Sequence, residues 1–215
     1  MQNPDQQAQI VGFLRKKYRP RAIVLAGSRA TGKSSVDSDW DLFLFCDKKQ
    51  RGGFFESNGM LLDLTFHEWP KSKDYVLTIP YGPLYPVKVL YDDTQGELKK
   101  ILKRTEKVYR VGPLKSYPDG CAERLQKLDR WKGKIEKHEE HPEILFYYAG
   151  YVYEFFVRVW FEQQNLWPLP PAEAFPVMKK KDPRFWKLLS LFTTADGKGR
   201  TSLTDKIIKR LHELK

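Results

Sequence analysis

The chain has 215 residues, enough for one or two domains with a buried core. Its 38 basic residues outnumber its 27 acidic ones, and the formal net charge of +11 favours anionic ligands such as nucleotides or nucleic acid. Two cysteines exclude a disulfide-rich secreted domain, and the first residues lack the pattern of a signal peptide, so we expect a cytoplasmic protein.

The chain opens with a predicted helix and a predicted strand. Apolar residues recur at helical spacing between Pro4 and Tyr18, and Arg19-Pro20 would end that helix. The run from Ala22 to Ala26 has the pattern of a buried strand. A basic group lies between them, and it can contact phosphates or simply face solvent: Lys16, Lys17, Arg19 and Arg21.

The next stretch, Gly27 to Ser34, matches the Walker A pattern G-x-x-x-x-G-K-[ST], which binds phosphates and magnesium. Such a loop must open a helix, but Ser34 to Ser38 has no apolar residue at helical spacing. A strand pattern begins at Trp40, about five residues after Ser34, whereas a helical crossover needs about 10–12. The spacing argues against a P-loop and against an essential phosphate-binding role for Lys33.

Two aspartates flank Trp40 at the start of this strand pattern. Residues i and i+2 of a strand project from the same face, so Asp39 and Asp41 are expected side by side, with Trp40 and Leu42 facing the other way. Two such carboxylates repel each other unless a cation lies between them. Because magnesium prefers oxygen ligands, the pair predicts a magnesium site that needs a third carboxylate on a neighbouring strand.

Asp63 is the candidate for that third carboxylate. It is the only charged residue in the strand-like run from Gly59 to Phe66, and a lone carboxylate in an apolar run needs a partner or a metal. Ser57-Asn58-Gly59 predicts a turn that joins this run to Phe54-Phe55-Glu56. The resulting hairpin would bring Asp63 beside Asp39 and Asp41.

Further elements complete the first part of the chain. A short helix is predicted from Lys71 to Leu77, a strand from Val87 to Tyr91 and an amphipathic helix from Glu97 to Val108. Val111-Gly112-Pro113 has the composition of a boundary. We therefore expect one domain over residues 1–112 and a second over 113–215.

The second part has helical patterns throughout, and the helix over residues 142–164 is the most apolar. It contains Glu154 and Arg158 and is too polar for a membrane span, so it is expected to be the central helix of a bundle. Glu154 shares a face with Tyr147, Tyr151 and Arg158, and it is either a functional acid or half of an ion pair with Arg158. The other helices are predicted over residues 119–140, 171–181, 183–192 and from Ser202 or Thr204 to Leu214.

The acidic residues stand in a recognisable setting. Gly27-Ser28-Arg29-Ala30, followed by Ser38-Asp39-Trp40-Asp41-Leu42 and by Asp63 in a later strand, resembles the signature of the DNA polymerase β-like nucleotidyltransferase superfamily. The chain looks like the small bacterial and archaeal members that have a helical second domain, such as antibiotic nucleotidyltransferases. The resemblance covers about the first half and implies an α+β fold: a nucleotidyltransferase domain with a mixed sheet, followed by an all-helical bundle domain.

The resemblance also implies a reaction and its cofactors. A nucleoside monophosphate, AMP from ATP in the leading hypothesis, would pass from a nucleoside triphosphate to an acceptor hydroxyl with release of pyrophosphate. Asp39 and Asp41 would bridge two Mg²⁺ ions, and Asp63 would bind the ion nearer the acceptor.

The same resemblance implies roles for residues outside the aspartate triad. Gly27, Ser28, Arg29 and Ser38 would contact the nucleotide phosphates, although Arg29 can equally form an internal salt bridge. In the antibiotic nucleotidyltransferases the helical domain supplies an acidic general base, and Glu154 is the candidate here.

The acceptor itself cannot be read from the sequence. A small hydroxylated molecule is the leading expectation, and an RNA end or a protein side chain is the alternative. A further alternative is an antitoxin-type nucleotidyltransferase that partners a helical ribonuclease. The ribonuclease signature of such partners, Arg followed four to six residues later by His, is absent from residues 113–215.

Overall fold

The computed structural model describes residues 4–48, 50–79 and 82–214. The chain divides into two compact units, one ending at Arg110 and the other beginning at Val111. Within the described ranges, no helix has both the length and the apolar character needed to cross a bilayer.

The first unit contains seven strands and three helices among its described residues. The predicted first helix is confirmed with the expected bounds, and the helix predicted from Glu97 extends to Val111. In chain order the elements are α1 (Pro4–Tyr18), β1 (Ala22–Leu25), α2 (Gly27–Thr31), β2 (Trp40–Cys46), β3 (Gly53–Ser57), β4 (Met60–Glu68), β5 (Thr78–Ile79), β6 (Gly82–Pro83), β7 (Lys88–Asp92) and α3 (Glu97–Val111).

Five of these strands form one mixed sheet in the order β3-β4-β2-β1-β7. β1 is antiparallel to both β2 and β7, and β3 is antiparallel to β4. β2 and β4 are the parallel pair. The mixed sheet that the resemblance implied is therefore present, and the two strands that carry aspartates are direct neighbours.

Each face of the sheet has its own hydrophobic core, because side chains alternate along a strand. Trp40 and Leu42 of β2 lie on one face, where Ile10 and Leu14 of α1 cover them. Phe43 and Phe45 of β2 belong to the opposite core, with Leu98 and Ile101 of α3. Asp41 is in the same alternating set as Phe43, so it belongs to the α3 side of the sheet.

The hairpin that carries Asp63 forms as predicted. β3 and β4 pair from Ser57 opposite Met60 to Gly53 opposite Leu64. Asn58 and Gly59 connect them with φ angles of 51° and 70°. Two consecutive positive φ angles are typical of the type I′ turn that matches strand twist, and Asn-Gly is the preferred pair for it.

The helix predicted from Lys71 to Leu77 is wrong. This stretch contains only a turn near Lys73 and Asp74 before β5. The buried Leu77 amide donates to Thr105 Oγ1 of α3 at 3.0 Å. Leu77 itself is fully buried in the core under α3, so long-range packing has overridden the local helical preference.

Helices are the only regular elements among the described residues of the second unit. α6 is its central element, because its buried apolar residues, among them Val152, Phe156 and Trp160, all belong to the core of this unit. The helices are α4 (Pro113–Ser116), α5 (Pro118–Lys137), α6 (Pro142–Gln163), α7 (Pro171–Lys181), α8 (Pro183–Thr194) and α9 (Gly197–His212).

The last helix begins earlier than predicted. Asp196, rather than Thr204, is its N-cap, and the Asp196 carboxylate accepts a hydrogen bond from the Gly199 amide at 2.7 Å. Gly197-Lys198-Gly199 is thus the first turn of α9. Thr204 is fully buried in the middle of the helix. The Asp196 cap stabilises the start of the helix although Gly197 and Gly199 each cost about 1 kcal/mol relative to alanine there.

Candidate active site

The candidate site lies where β1 ends and β2 begins. β1 stops at Leu25, and Gly27, with φ +66°, opens the five-residue helix α2. Gly32, with φ +75°, ends α2, and turns then lead into β2. The helix lies inside the Walker-like motif rather than after it, and β1 and β2 are antiparallel. The structure therefore agrees with the rejection of a P-loop.

Gly27 packs directly against the carboxylate of Asp41. A Cβ atom built on Gly27 would overlap Asp41 Oδ2 and lie 2.9 Å from Asp41 Cγ. The neighbouring Ala26 amide donates to the Asp41 carbonyl at 2.9 Å, which holds the two backbones together. Only glycine combines the positive φ with such a close approach. The sequence motif identified Gly27 as a candidate site residue. The structure shows why a glycine is needed at this position.

Asp41 and Asp63 are paired across the parallel strands β2 and β4. Asp39 comes one residue before β2, two positions from Asp41. All three carboxylate residues are half-buried rather than solvated surface groups. The structure thus brings the three predicted aspartates to one end of the central strand pair.

The three aspartates act on one another electrostatically. Burial, followed by the charges of Asp39 and Asp63, raises the pKa of Asp41 from 3.8 to about 6. Burial and the charge of Asp39 also raise the pKa of Asp63. Like charges that are partly removed from water favour a bound proton or a bound cation. This electrostatic field is what a cation-binding site requires.

The oxygen atoms of these three carboxylates are of the type that magnesium prefers as ligands. Its preferred ligands are carboxylate and water oxygens, and the three aspartates supply such oxygens from adjacent chain segments. In the part of the chain that the structure describes, no three His, Cys, Asp or Glu side chains are grouped so that they could hold a metal ion. A magnesium site at the aspartates therefore stays a prediction from their chemistry.

Arg29 holds the loop that leads to Asp39. Its Nε donates to the carbonyls of Asp39 at 2.9 Å and Ser38 at 3.0 Å, and its Nη2 donates to the Val36 carbonyl at 3.3 Å. Its Cζ lies 4.6 Å from the centre of the Trp40 ring. Of the two roles weighed for Arg29, the internal one is visible in these hydrogen bonds to main-chain carbonyls. No sequence pattern could have identified those partners.

The two candidate serines differ in their surroundings. Ser38 Oγ accepts a hydrogen bond from the Ser35 amide at 2.9 Å and lies 3.1 Å from Ser35 Oγ. Its hydroxyl thus takes part in the turn before Asp39. Ser28 is half-buried in α2, and its carbonyl accepts from the Lys33 amide at 2.9 Å. Phosphate binding by either hydroxyl stays a prediction.

A cleft beside Asp63 was not foreseen from the sequence. It has a volume of about 570 Å³ and opens where β3 stops pairing with β4, beyond Gly53. A Cβ on Gly52 would overlap the Leu64 carbonyl, so the chain lies close to β4 there. The described residues that line the cleft are Gln50, Gly52, Gly53, Asp63, Leu64, Thr65, Phe66, His67 and Glu68.

Glu154 lies exposed on α6 in the second unit. Tyr147 donates a hydrogen bond to Tyr151 at 3.4 Å. This bond is the main cause of the raised pKa of Tyr151, and the charge of Glu154 adds to it. Arg158, the alternative partner of Glu154, donates from Nε to Glu162 Oε1 at 3.2 Å. A general-base role for Glu154 remains a prediction.

Comparison with known proteins finds a matching family model and similar solved structures. A family model described as a nucleotidyltransferase domain matches residues 8–146. A crystal structure of a nucleotidyltransferase-like protein from Exiguobacterium sibiricum is similar with a TM-score of 0.50 and 11% identity, covering 97% of this chain and 74% of that chain. At this identity the likeness concerns the fold alone. No protein with a curated description matches the chain.

Proposed function

The chain belongs to the nucleotidyltransferase domain family, and from this premise we propose that it moves AMP from ATP to a hydroxyl of a small molecule and releases pyrophosphate. Another nucleoside triphosphate can replace ATP as donor in the same scheme. The observation that carries the proposal is the pairing of Asp41 with Asp63 beside the bare backbone of Gly27.

In this mechanism the protein positions charge. Asp39 and Asp41 would hold two magnesium ions, with Asp63 on the ion nearer the acceptor. Such ions, when bound, activate the hydroxyl and neutralise the leaving pyrophosphate. Gly27 lets the backbone pack against the Asp41 carboxylate, and Arg29 holds the loop that leads to Asp39. Glu154 is proposed to accept the proton of the acceptor hydroxyl.

The cleft beside Asp63 supports a small acceptor. Its volume of about 570 Å³ is within the range of small-molecule sites, about 300–1,000 Å³. Among its described lining residues the acidic side chains are Asp63 and Glu68, and none is Lys or Arg. An RNA acceptor needs cations against its phosphates, whereas an acceptor with amino groups suits carboxylates. This charge pattern favours a hydroxylated, amino-bearing small molecule over an RNA end.

A labelling experiment tests the proposal. The protein is incubated with magnesium and each α-labelled nucleoside triphosphate, together with aminoglycosides, lincosamides or a short RNA, and pyrophosphate is measured in parallel. Label should appear on a small amino-bearing acceptor. Glu68→Gln should raise the KM for that acceptor but not for the nucleotide, and Glu56→Gln, an exposed change on β3, is the matched control.

Other outcomes identify the alternatives. Label on RNA alone, or on a protein side chain, would show that this molecule rather than a small molecule is the acceptor. The reaction class, nucleotidyl transfer, would stay the same. If no nucleotide gives labelled product or pyrophosphate, the proposed transferase activity is contradicted. That result would favour the antitoxin-type role.

A further inference from the structure

A basic region lies at the end of the sheet opposite the aspartates. Ala22 opens β1 and pairs with Phe45 near the end of β2 and with Asp92 at the end of β7. Phe45 is four residues beyond Asp41 on the same strand, which corresponds to about 13 Å at about 3.3 Å per residue. Whatever this end binds is separate from the aspartate triad.

The first of two clefts at this end is next to the end of α1. Its volume is about 480 Å³, and it is lined by Gly12, Arg15, Lys16, Arg19, Pro20, Tyr91 and Asp93. Arg15 Cζ lies 4.3 Å from the centre of the Tyr91 ring, which keeps this cation over an aromatic face. Arg15 and Lys16 lie in the last turn of α1, where cations also stabilise the helix dipole, and Arg19 follows the end of the helix.

The second cleft has a volume of about 450 Å³ and contains four cations. Its lining residues are Trp69, Pro70, Lys71, Ser72, Lys73, Glu97, Lys100 and Arg104. Its acid, Glu97, lies 3.6 Å from Arg21 Nη2 and is therefore already paired. Lys71, Lys73 and Lys100 are exposed, so their charges are available to a ligand.

Arg21 joins the two clefts. Its carbonyl accepts from the amide of Asp93, a lining residue of the first cleft, at 2.8 Å. Its guanidinium Cζ lies 4.4 Å from the centre of the ring of Trp69, which lines the second cleft. The two basic clefts are thus linked through Arg21, and each contains an aromatic side chain.

We propose that this end of the sheet binds the phosphate backbone of a single-stranded nucleic acid. A run of spaced cations suits a ligand with regularly spaced phosphates, and beside these cations each cleft has a half-buried aromatic ring with an arginine over it. The clefts are concave and have few aliphatic side chains, whereas a membrane-binding surface needs exposed apolar anchors. The proposal does not depend on the identity of the acceptor.

Fluorescence anisotropy with a labelled single-stranded RNA, at several salt concentrations, tests the proposal on the full chain. One triple variant, Arg15→Ala/Lys16→Ala/Arg19→Ala, removes three charges from the first cleft, and Lys71→Ala/Lys73→Ala/Lys100→Ala removes three from the second. The matched control, Lys179→Ala/Lys180→Ala/Lys181→Ala, removes three exposed charges from the last turn of α7. Thermal melting verifies that each variant is folded.

We expect tight binding to the wild-type chain at low salt. Each cleft variant should lose about tenfold or more in affinity, and its log–log salt slope should fall by about 2, since each phosphate contact contributes about 0.7. The control should bind like the wild type. Equal losses in all three variants, absence of RNA binding, or binding to vesicles of anionic lipid without binding to RNA would each overturn the proposal.

Discussion

Gly27 lies against Asp41 so closely that no side chain fits between the backbone of residue 27 and the Asp41 carboxylate. Gly27→Ala should therefore displace Asp41 and abolish transfer. Gly32→Ala is the matched control, because Gly32 also has a positive φ but has nothing within 4 Å of its added Cβ. It should cost about 1–2 kcal/mol of stability and retain activity. Equal loss of activity in both variants, measured by pyrophosphate release, would mean that backbone strain rather than the contact matters.

Arg29 provides a second test, because its hydrogen bonds point to the loop rather than to a ligand. Arg29→Lys removes the planar group that reaches the Ser38 and Asp39 carbonyls together. If Arg29 positions Asp39, kcat should fall and the magnesium requirement should rise, with the KM for ATP nearly unchanged. A rise in that KM alone would indicate a phosphate contact. Arg51→Lys, at an exposed site in the same unit, is the control.

The Asp41 carboxyl should make stability depend on pH when no divalent cation is present. Because its pKa is raised from 3.8 to about 6, the folded protein holds a proton on this carboxyl at pH values where the unfolded chain has lost it, and stability falls progressively as the pH rises from about 3.8 to about 6. Asp41→Asn should therefore raise the melting temperature most at pH 7–8, by less as the pH falls below about 6, and hardly at all below about 3.8. Asp37→Asn, in an exposed turn, is the control. A uniform shift at every pH would contradict the expected titration.

Lys33 distinguishes the two phosphate-binding motifs. It is exposed and follows the end of α2, so it is not at the start of a long helix as a P-loop lysine would be. Lys33→Ala should change the KM for the nucleotide modestly and leave kcat within a few-fold of wild type. Steady-state kinetics with ATP and magnesium measure both constants. Complete loss of activity would restore the P-loop interpretation.

Local patterns predicted much of the first unit. The Asn58-Gly59 turn, the alternation around Trp40 and the helix from Pro4 to Tyr18 each depend on neighbouring residues, and each was found as expected. The lone charge of Asp63 within an apolar strand was enough to identify it as a partner of the other aspartates. The register that places Asp63 opposite Asp41 required the structure.

Features set by distant parts of the chain were not predictable from local patterns. Leu77 is held by Thr105, which is why the helix predicted over residues 71–77 is absent. The carbonyl partners of Arg29 depend on how the loop folds back. The cleft beside Asp63 depends on where β3 stops pairing with β4, and no residue pattern marks that point.

The most direct test of the central claim is transfer by an Asp63→Ala variant, measured as labelled product and pyrophosphate beside wild type and Lys33→Ala. We expect the variant to be inactive and folded, with a melting temperature equal to or above that of the wild type, because one of three repelling carboxylates is gone. Asp39→Ala and Asp41→Ala should behave in the same way. Full turnover by Asp63→Ala, or inactivity of Lys33→Ala with an active Asp63→Ala, would contradict the aspartate-triad account.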